Sequence, residues 1–156
     1  MIDKKDKKIL VELLKDGRKS FVNLARSCRM TRQSIFSRIK SLKRKGIIKN
    51  FTVNLNQRKL GLNLKVYIII SAIPSEELRE KAIKVLVKFP QFSQIHKLFG
   101  RFDLLIEALV KDIDELSSIV AKIHKLEMVE KTETMIVYQN VKYNVQHPFE
   151  SALKTS

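Results

Sequence analysis

Apolar residues recur at helical spacing in three short stretches near the start of the chain. The first stretch follows Asp3 and ends before Gly17, which predicts a helix over roughly residues 4–15 with an acidic N-cap. The second stretch follows Ser20 and the third follows Thr31, and each hydroxyl is a favourable N-cap. The apolar positions are Ile9, Leu10, Leu13 and Leu14, then Val22, Leu24, Ala25 and Cys28, then Ile35, Ile39 and Leu42. The chain therefore begins with three short predicted helices.

Only Arg29 and Met30 separate the second stretch from the third. So short a connection allows only a tight angled turn, which is the helix-turn-helix arrangement. Apolar residues from Ile47 to Val53 then predict an extended segment. We therefore assign residues 1–53 to a helix-turn-helix domain and the Asn- and Gly-containing residues 54–63 to a hinge.

Beyond the hinge, runs rich in β-branched residues alternate with runs of helical spacing. The predicted order is strand Lys65–Ile73, helix Glu76–Phe89, strand Phe92–Phe99, strand Asp103–Val110, a helix from Asp112 to about Lys125 with Glu115 completing a capping box, and strand Val129–Tyr138. This βαββαβ order predicts a ferredoxin-like sandwich over residues 64–140, with two helices on one face of an antiparallel sheet. The fold class is α+β, the open sheet face needs a partner, and residues 141–156 form a tail of undecided structure.

Positive charge is concentrated in the first half of the chain. The formal net charge is +15, and residues 1–63 carry +14 of it. No carboxylate occurs between Asp16 and Glu76, although the 59 residues between them hold 14 of the 31 Lys and Arg residues. Folded domains normally mix the two signs of charge, so this stretch favours a polyanionic partner, with double-stranded DNA as the first candidate.

The sequence gives little indication of catalysis, metal binding or export. Cys28 has no second cysteine to pair with and lies on the apolar side of its helix. The N-terminus does not resemble a signal peptide, and the apolar run Val66–Ile73 is too short to span a bilayer. His96, His124 and His147 lack the spacing and neighbours of a zinc site. We therefore expect a cytoplasmic protein with no catalytic set, cofactor or metal.

Projection of the third helix places its apolar residues on one side and a polar set on the other. This polar set can face a DNA major groove. Arg38 could donate two hydrogen bonds to a guanine, and Gln33 could bind an adenine edge. Phe36 lies at the border between the apolar and polar sides of this helix. We expect it in the core, with contact to a thymine methyl group as the alternative. The full polar set is Gln33, Ser34, Ser37, Arg38, Ser41 and Arg44.

Other polar residues around the second and third helices are assigned to the DNA backbone. Cations and helix N-termini both favour phosphate, so these residues would position the domain without reading sequence. Arg32 could contact a base or a phosphate, and Thr31 caps the third helix at the same surface. The predicted phosphate contacts are Lys19, Ser20, Arg26, Lys40, Lys43, Arg44 and Lys45. The alternative is an ordinary solvated basic face on a helical bundle.

Several short motifs, in order and spacing, resemble the Lrp/AsnC, or feast/famine, family of transcriptional regulators over nearly the whole chain. In the first half they are Ile2-Asp3-x-x-Asp6-x-x-Ile9-Leu10, Asp16-Gly17-Arg18, Leu24-Ala25 and Ser37-Arg38-Ile39-x-x-Leu42-x-x-x-Gly46-Ile47-Ile48. They continue with Leu60-Gly61-Leu62, Gly100-x-x-Asp103 and Thr132-x-Thr134-x-Ile136-Val137. Each motif alone is weak, whereas the set is specific.

The resemblance implies a winged-helix DNA-binding domain followed by an effector-binding and oligomerisation domain. It also implies a homodimer through the open sheet face, further assembly to octamers, and an amino acid or related small molecule as effector near the hairpin turn. The effector residues that it implies are His96, Leu98, Phe99, Gly100, Arg101, Asp103, Thr132 and Thr134.

Three residues depart from the family's pattern. Arg29 stands where the family commonly has Gly, so a positive φ there would carry strain unless the turn has adjusted. Arg101 replaces a common Asp beside the expected effector site, which favours a different ligand or none. His96 stands where Tyr is frequent, and we expect a structural role for it.

Two other functions remain open on the sequence alone. The same basic domain could serve an architectural, nucleoid-type protein that binds DNA with little sequence preference. Some haem-biosynthesis decarboxylases share the two-domain architecture. Such an enzyme would need polar groups around a tetrapyrrole, and His96 and Arg101 are weak support for such a site. A sequence-specific regulator is the leading interpretation.

Overall fold

The computed structural model describes residues 2–154, so Met1, Thr155 and Ser156, including the end of the predicted tail, lie outside the described residues. The chain forms two compact units. One, the helical unit, comprises the residues up to Asn54 together with those from Lys142 onward. The other, the sheet unit, comprises Leu55–Val141.

The helical unit begins with three helices: α1 at Lys4–Lys15, α2 at Phe21–Cys28 and α3 at Arg32–Arg44. Their N-caps are the residues that the sequence predicts. Asp3 accepts the Asp6 N–H at 2.7 Å, while the Asp6 carboxylate accepts the Asp3 N–H at 3.2 Å. Ser20 and Thr31 cap α2 and α3 in the same way. The core between the helices comprises Ile9, Leu24, Ala25, Cys28, Ile35 and Ile39.

The turn between α2 and α3 has the left-handed backbone conformation that the family's glycine would favour. Arg29 adopts φ 55 and ψ 52, and it is the only non-glycine residue with positive φ among residues 2–154. The Met30 N–H then donates to the Ala25 carbonyl oxygen at 2.9 Å, which closes the end of α2. The turn therefore keeps its shape, and Arg29 bears the steric cost of a Cβ in this conformation.

The expected wing differs from the prediction. Residues 47–53 are not helical, but they form no hydrogen-bonded strand within residues 2–154. A strand needs a neighbour to satisfy its N–H and C=O groups, and the described part of the helical unit contains no strand. The apolar side chains of Phe51 and Val53 are consequently exposed. The following connection contains a short 3-10 helix at Gln57–Leu60, within the predicted hinge.

The sheet unit has the predicted βαββαβ order. Its elements are β1 at Leu64–Ala72, α4 at Glu76–Leu86, β2 at Phe92–Lys97, β3 at Leu104–Val110, α5 at Ile113–Ile123 and β4 at Val129–Ile136. The strands lie in the order β2-β3-β1-β4 and every pair is antiparallel. Asp112 caps α5 as predicted, but the Glu115 carboxylate accepts the Lys111 N–H, one residue before the N-cap, at 2.8 Å.

Alternation along the strands separates two faces of the sheet. Val66, Ile68 and Ile70 of β1 are fully buried on one face. Together with every second residue of β3, from Leu104 to Val110, they pack against buried residues of α4 and α5 and form the core of the unit. On the other face lie half-buried residues, among them Ile69 and Leu105, which are paired in register. We call this second surface the open face.

The C-terminal tail contains an unexpected helix, α6, at His147–Lys154. It packs against α1 within the helical unit. The Asn144 side chain accepts the N–H groups of Gln146 and His147 at 3.1 and 2.9 Å, which satisfies free donors at the start of the helix. Pro148 and Glu150 in the first turn are the sequence signals that favoured it.

Candidate nucleic-acid interface and ligand site

The rotation of α3 is fixed by three buried residues, Ile35, Ile39 and Leu42. The residues that point directly away from them form one exposed strip along the helix. We call this strip the exposed ridge, and it consists of Gln33, Ser37, Lys40 and Arg44. All four side chains can donate hydrogen bonds, and none is acidic, so the ridge suits the acceptor-rich edges of a major groove.

Arg38 lies beside the ridge, and its partners differ from those expected. The guanidinium Nη1 donates to Asp3 Oδ2 and to Asp6 Oδ1, both at 2.7 Å. These two carboxylates also form the capping box of α1, so Arg38 joins α3 to the start of α1. Hydrogen bonds from the Asp6 N–H and from Arg38 lower the pKa of Asp3, and the same carboxylates raise the pKa of Arg38. Nη1 of Arg38 is thus engaged within the chain, and the contact between Arg38 and a guanine stays a prediction.

Two of the predicted serines lie on the same border as Arg38. Ser34 and Ser41 are half-buried, whereas Ser37 is exposed on the ridge. The hydroxyls of Ser20 and Thr31 each accept the N–H three residues further on, from Asn23 and Ser34, at 3.2 Å. Ser20 and Thr31 thus fix where α2 and α3 begin, and both are at least partly exposed there.

The predicted phosphate contacts fall into two groups. Arg26, Arg32, Lys40, Lys43, Arg44 and Lys45 are exposed. Lys43 lies over the Phe51 ring, with its ammonium 4.9 Å from the ring centroid. Lys19 is different, because it forms an ion pair with Glu12 of α1. Hydrogen bonds from Lys15 and Lys19 lower the pKa of Glu12 to about 2.

Phe36 is not the core residue that we expected. Its side chain is 51% exposed, because the residue lies about a quarter-turn from the buried side of α3. The Phe21 ring meets it edge to face, with centroids 6.0 Å apart. Both rings line a groove with Phe51, and its other lining residues are Leu13, Gly17, Arg18, Lys19, Ile39, Lys40 and Lys43. Phe21, Phe51 and Arg18 are not among the predicted DNA contacts, although all three lie in the acid-free stretch.

The expected effector segment forms the turn between β2 and β3. The Leu98 N–H donates to the Asp103 carbonyl at 2.8 Å, and Gly100 adopts φ 136, which favours glycine. Phe99 is fully exposed, and Arg101 lies against the Phe102 ring, 5.3 Å from its centroid. The Asp103 carboxylate accepts the Ala72 N–H at 2.8 Å and an Arg79 N–H at 3.1 Å, so it binds the turn to β1 and α4.

The remaining effector candidates lie on two different faces of the sheet. His96 is opposite Leu105 in the register, on the open face, where its Nε2 is 2.9 Å from Gln94 Oε1. Thr132 and Thr134 are opposite Ile70 and Ile68, on the face that carries the helices. The Thr132 hydroxyl is 2.6 Å from Nε2 of His124. Within one chain, the structure does not bring these residues together into one pocket with the turn.

The open face has a polar network at its centre. Lys65 lies 2.6 Å from the Glu107 carboxylate, which also accepts hydrogen bonds from the Tyr67 and Ser93 hydroxyls at 3.1 and 2.8 Å. Burial alone would raise the pKa of Glu107, but hydrogen bonds from Lys65, Ser93 and Tyr67 lower it below its usual value. Both carboxylate oxygens of Glu107 therefore have partners within the chain.

Residues 2–154 contain no group of three or more His, Cys, Asp or Glu side chains that could hold a metal ion. No helix within that range is long and apolar enough to cross a membrane.

Comparison with known families decides the identity of the chain. Residues 2–49 match winged helix-turn-helix DNA-binding domains, and residues 65–146 match the Lrp/AsnC ligand binding domain. The chain belongs to the Lrp/AsnC family of transcriptional regulators. Two similar members are the HTH-type transcriptional regulator FL11 of Pyrococcus furiosus and the regulatory protein AsnC of Haemophilus influenzae. FL11 is 32% identical over 95% of this chain and 97% of its own. The AsnC protein is 32% identical over 89% of this chain and 93% of its own.

Solved structures of Lrp/AsnC regulators have the same fold. The regulator NMB0573 of Neisseria meningitidis, solved in complex with L-Met, superposes with a TM-score of 0.90 and 24% identity, covering 97% of this chain and 99% of its own. Escherichia coli AsnC superposes with a TM-score of 0.84 and 24% identity, covering 94% and 99% of the two chains. At this identity the likeness establishes the fold.

Proposed function

We propose that this Lrp/AsnC protein is a sequence-specific DNA-binding regulator that responds to an amino acid or a related small molecule. The observation that carries the proposal is the exposed ridge of α3, a continuous strip of hydrogen-bond donors in a stretch of the chain without carboxylates. A ridge of this kind fits a major groove, where base edges differ in their donors and acceptors.

The two kinds of DNA contact have separate residues in this proposal. Gln33, Lys40 and Arg44 reach base edges from the ridge, with Gln33 suited to adenine and the two cations to guanine. Arg26, Lys43 and the N-terminus of α2 contact phosphates on either side. Arg38 takes no base, because it holds α3 against α1 through Asp3 and Asp6.

We further propose that two copies pair through the open face of the sheet. Ile69, Leu105 and Met135 give this face an apolar component, and a single chain leaves it partly uncovered. The Lys65–Glu107 pair is already satisfied within the chain, so burial at an interface would leave neither charge without a partner. A dimer would also present two α3 helices, which suits a pseudo-palindromic site.

The effector is proposed to bind near the turn between β2 and β3. The regulator NMB0573 of similar fold was solved with L-Met, which supports an amino acid as the class of ligand. In this chain Arg101 and the exposed Phe99 give the turn a cation and an apolar ring. These groups suit an anionic ligand with an apolar part, and a neighbouring copy would supply the remaining contacts because one chain does not enclose the turn.

Selection of bound duplexes from a random DNA pool tests the proposal, with the selection repeated in the presence of single amino acids. We expect one enriched pseudo-palindromic sequence, and a change in its occupancy with at least one amino acid. Uniform recovery of all sequences at physiological salt would instead support an architectural DNA-binding protein. This function requires access to the genome, so we expect the protein in the cytoplasm.

The enzymatic alternative has a simple test of its own. His96 and Arg101, which suggested a tetrapyrrole site, are engaged with Gln94 and Phe102 respectively. Titration with a haem precursor should leave the absorbance spectrum of the tetrapyrrole unchanged. A shifted absorbance band that requires His96 would revive the decarboxylase interpretation.

A further inference from the structure

An exposed aromatic side chain lies beside the polar ridge of α3. Phe36 is 51% exposed. We infer that its ring contacts the 5-methyl group of a thymine in the major groove and thereby selects thymine at one position of each half-site. The inference rests on the proposed function and adds a specificity-determining residue to it.

The position of Phe36 on α3 supports this contact. Gln33 is three residues before it and Lys40 four residues after it, so both are its neighbours on the helix surface. Both also belong to the exposed ridge. A DNA edge that reaches Gln33 and Lys40 therefore also meets the Phe36 ring.

The ring is held in place by a second aromatic residue. Phe21 lies edge to face with Phe36, at a centroid distance of 6.0 Å and an interplanar angle of 75°. Such pairs stabilise a defined ring orientation. A ring that is already ordered loses little side-chain entropy when it binds, so a small apolar contact can contribute to affinity.

The location of Phe21 also indicates which part of the DNA the rings face. Phe21 is the first residue of α2, directly after the N-cap Ser20. A helix N-terminus favours phosphate, so Phe21 lies at the proposed contact with the DNA backbone. Phe36 lies beside the ridge that we assign to base contact. The thymine methyl group projects from the base edge into the major groove between these two regions.

The groove that contains the rings is lined by both apolar and cationic side chains. Leu13, Ile39 and Phe51 line the same groove, and Arg18, Lys40 and Lys43 surround it. The cations favour the approach of DNA, whereas the ring surface offers no hydrogen bond to the amino group of cytosine. This chemistry favours a methyl group over a polar group at the contacted position.

Replacement of thymine by deoxyuridine in the selected duplex tests the inference, because it removes the methyl group alone. The wild-type protein should bind about fourfold more weakly for each contacted methyl that is lost, the expected effect of one buried methyl group. Phe36→Ala should bind the thymine and uracil duplexes equally. The ratio of the two affinities is measured within each protein, so the fraction of active protein cancels.

Two controls make the result specific. Lys45→Met changes a cation at the end of α3 that does not line the groove of the two rings, and it should keep the wild-type thymine-to-uracil ratio. At the same position, 5-methylcytosine should bind better than cytosine to the wild type but not to Phe36→Ala. Equal binding of both duplexes by the wild type, or an unchanged ratio in Phe36→Ala, would overturn the inference. Failure of the proposed function would be seen earlier, as the absence of any selected duplex.

Discussion

The Nη1 atom of Arg38 lies 2.7 Å from Oδ1 of Asp6, and this ion pair joins the third helix to the first. Asp6 is the only buried charged residue among residues 2–154, at 8% exposure. A buried carboxylate needs a partner, because its desolvation is otherwise uncompensated. The pair therefore sets the position of α3, and the ridge on α3 is the surface that we assign to base contact.

Arg38→Met should lower the free energy of unfolding by about 1–2 kcal/mol, because it leaves the Asp6 carboxylate without its cation. Denaturant unfolding measures this loss. Its double variant with Asp6→Asn should lose less than the sum of the two single changes, since the two residues share one interaction. DNA affinity should fall alike for all base substitutions. A stability equal to wild type, with relaxed preference at one base, would return Arg38 to a reading role.

Lys40→Met should relax discrimination at one base position of the operator by about 1–3 kcal/mol, because Lys40 lies at the centre of the exposed ridge. Affinities for a set of single-base operator variants measure this. Lys45→Met is the matched control, since Lys45 caps the end of α3 and should affect every variant equally. If the two substitutions had the same uniform effect, the ridge would not be the reading surface.

Lys43→Ala should reduce the slope of log affinity against log salt by about 1, as expected for the loss of one phosphate contact. Lys19→Ala should reduce it less, because the Lys19 ammonium is already paired with Glu12. Filter binding or anisotropy over a range of salt concentrations gives both slopes. The reduction in slope should be larger for Lys43→Ala than for Lys19→Ala. A larger reduction for Lys19→Ala would contradict this assignment of the phosphate contacts.

Leu105→Glu should convert the proposed dimer to a monomer, because it places a charge on the apolar part of the open face, beside Ile69. Sedimentation velocity measures the change. Val85→Glu is the matched control, since Val85 lies exposed on α4 and not on the open face. A Leu105→Glu protein that remained dimeric would show that the copies associate through another surface.

Local signals in the sequence located most of the fold. Asp3, Ser20 and Thr31 begin their helices where expected because a cap depends on residues only three positions away. The strands were found because one buried face imposes alternation. The α6 helix was missed, since its signals in the first turn are weak without the packing against α1.

The candidate site was predicted less well, because it depends on contacts between distant residues. A helical projection identifies the buried side of α3 but not which border α1 covers. Arg38 and Phe36 flank that buried side. The projection predicts Arg38 on the DNA-facing side and Phe36 in the core, whereas Arg38 is paired with Asp3 and Asp6 and Phe36 is exposed. The partner of Arg38 is 32 residues away in Asp6, a distance that no local pattern reports. His96 is paired with Leu105 and Thr132 with Ile70, so the two residues lie on opposite faces of the sheet. This placement follows from the strand register, which the sequence alone does not show.

Sequence-specific recognition by the α3 ridge can be tested by one ratio. It is the ratio of the dissociation constants for the selected operator and for a scrambled duplex of equal composition. It should be measured at physiological salt with the wild-type protein and with Lys40→Met. If the α3 ridge reads base sequence, the wild-type protein should prefer the operator by about 10³ or more, and Lys40→Met should clearly reduce that preference. Equal affinity of the wild type for both duplexes would contradict sequence-specific recognition by the α3 ridge.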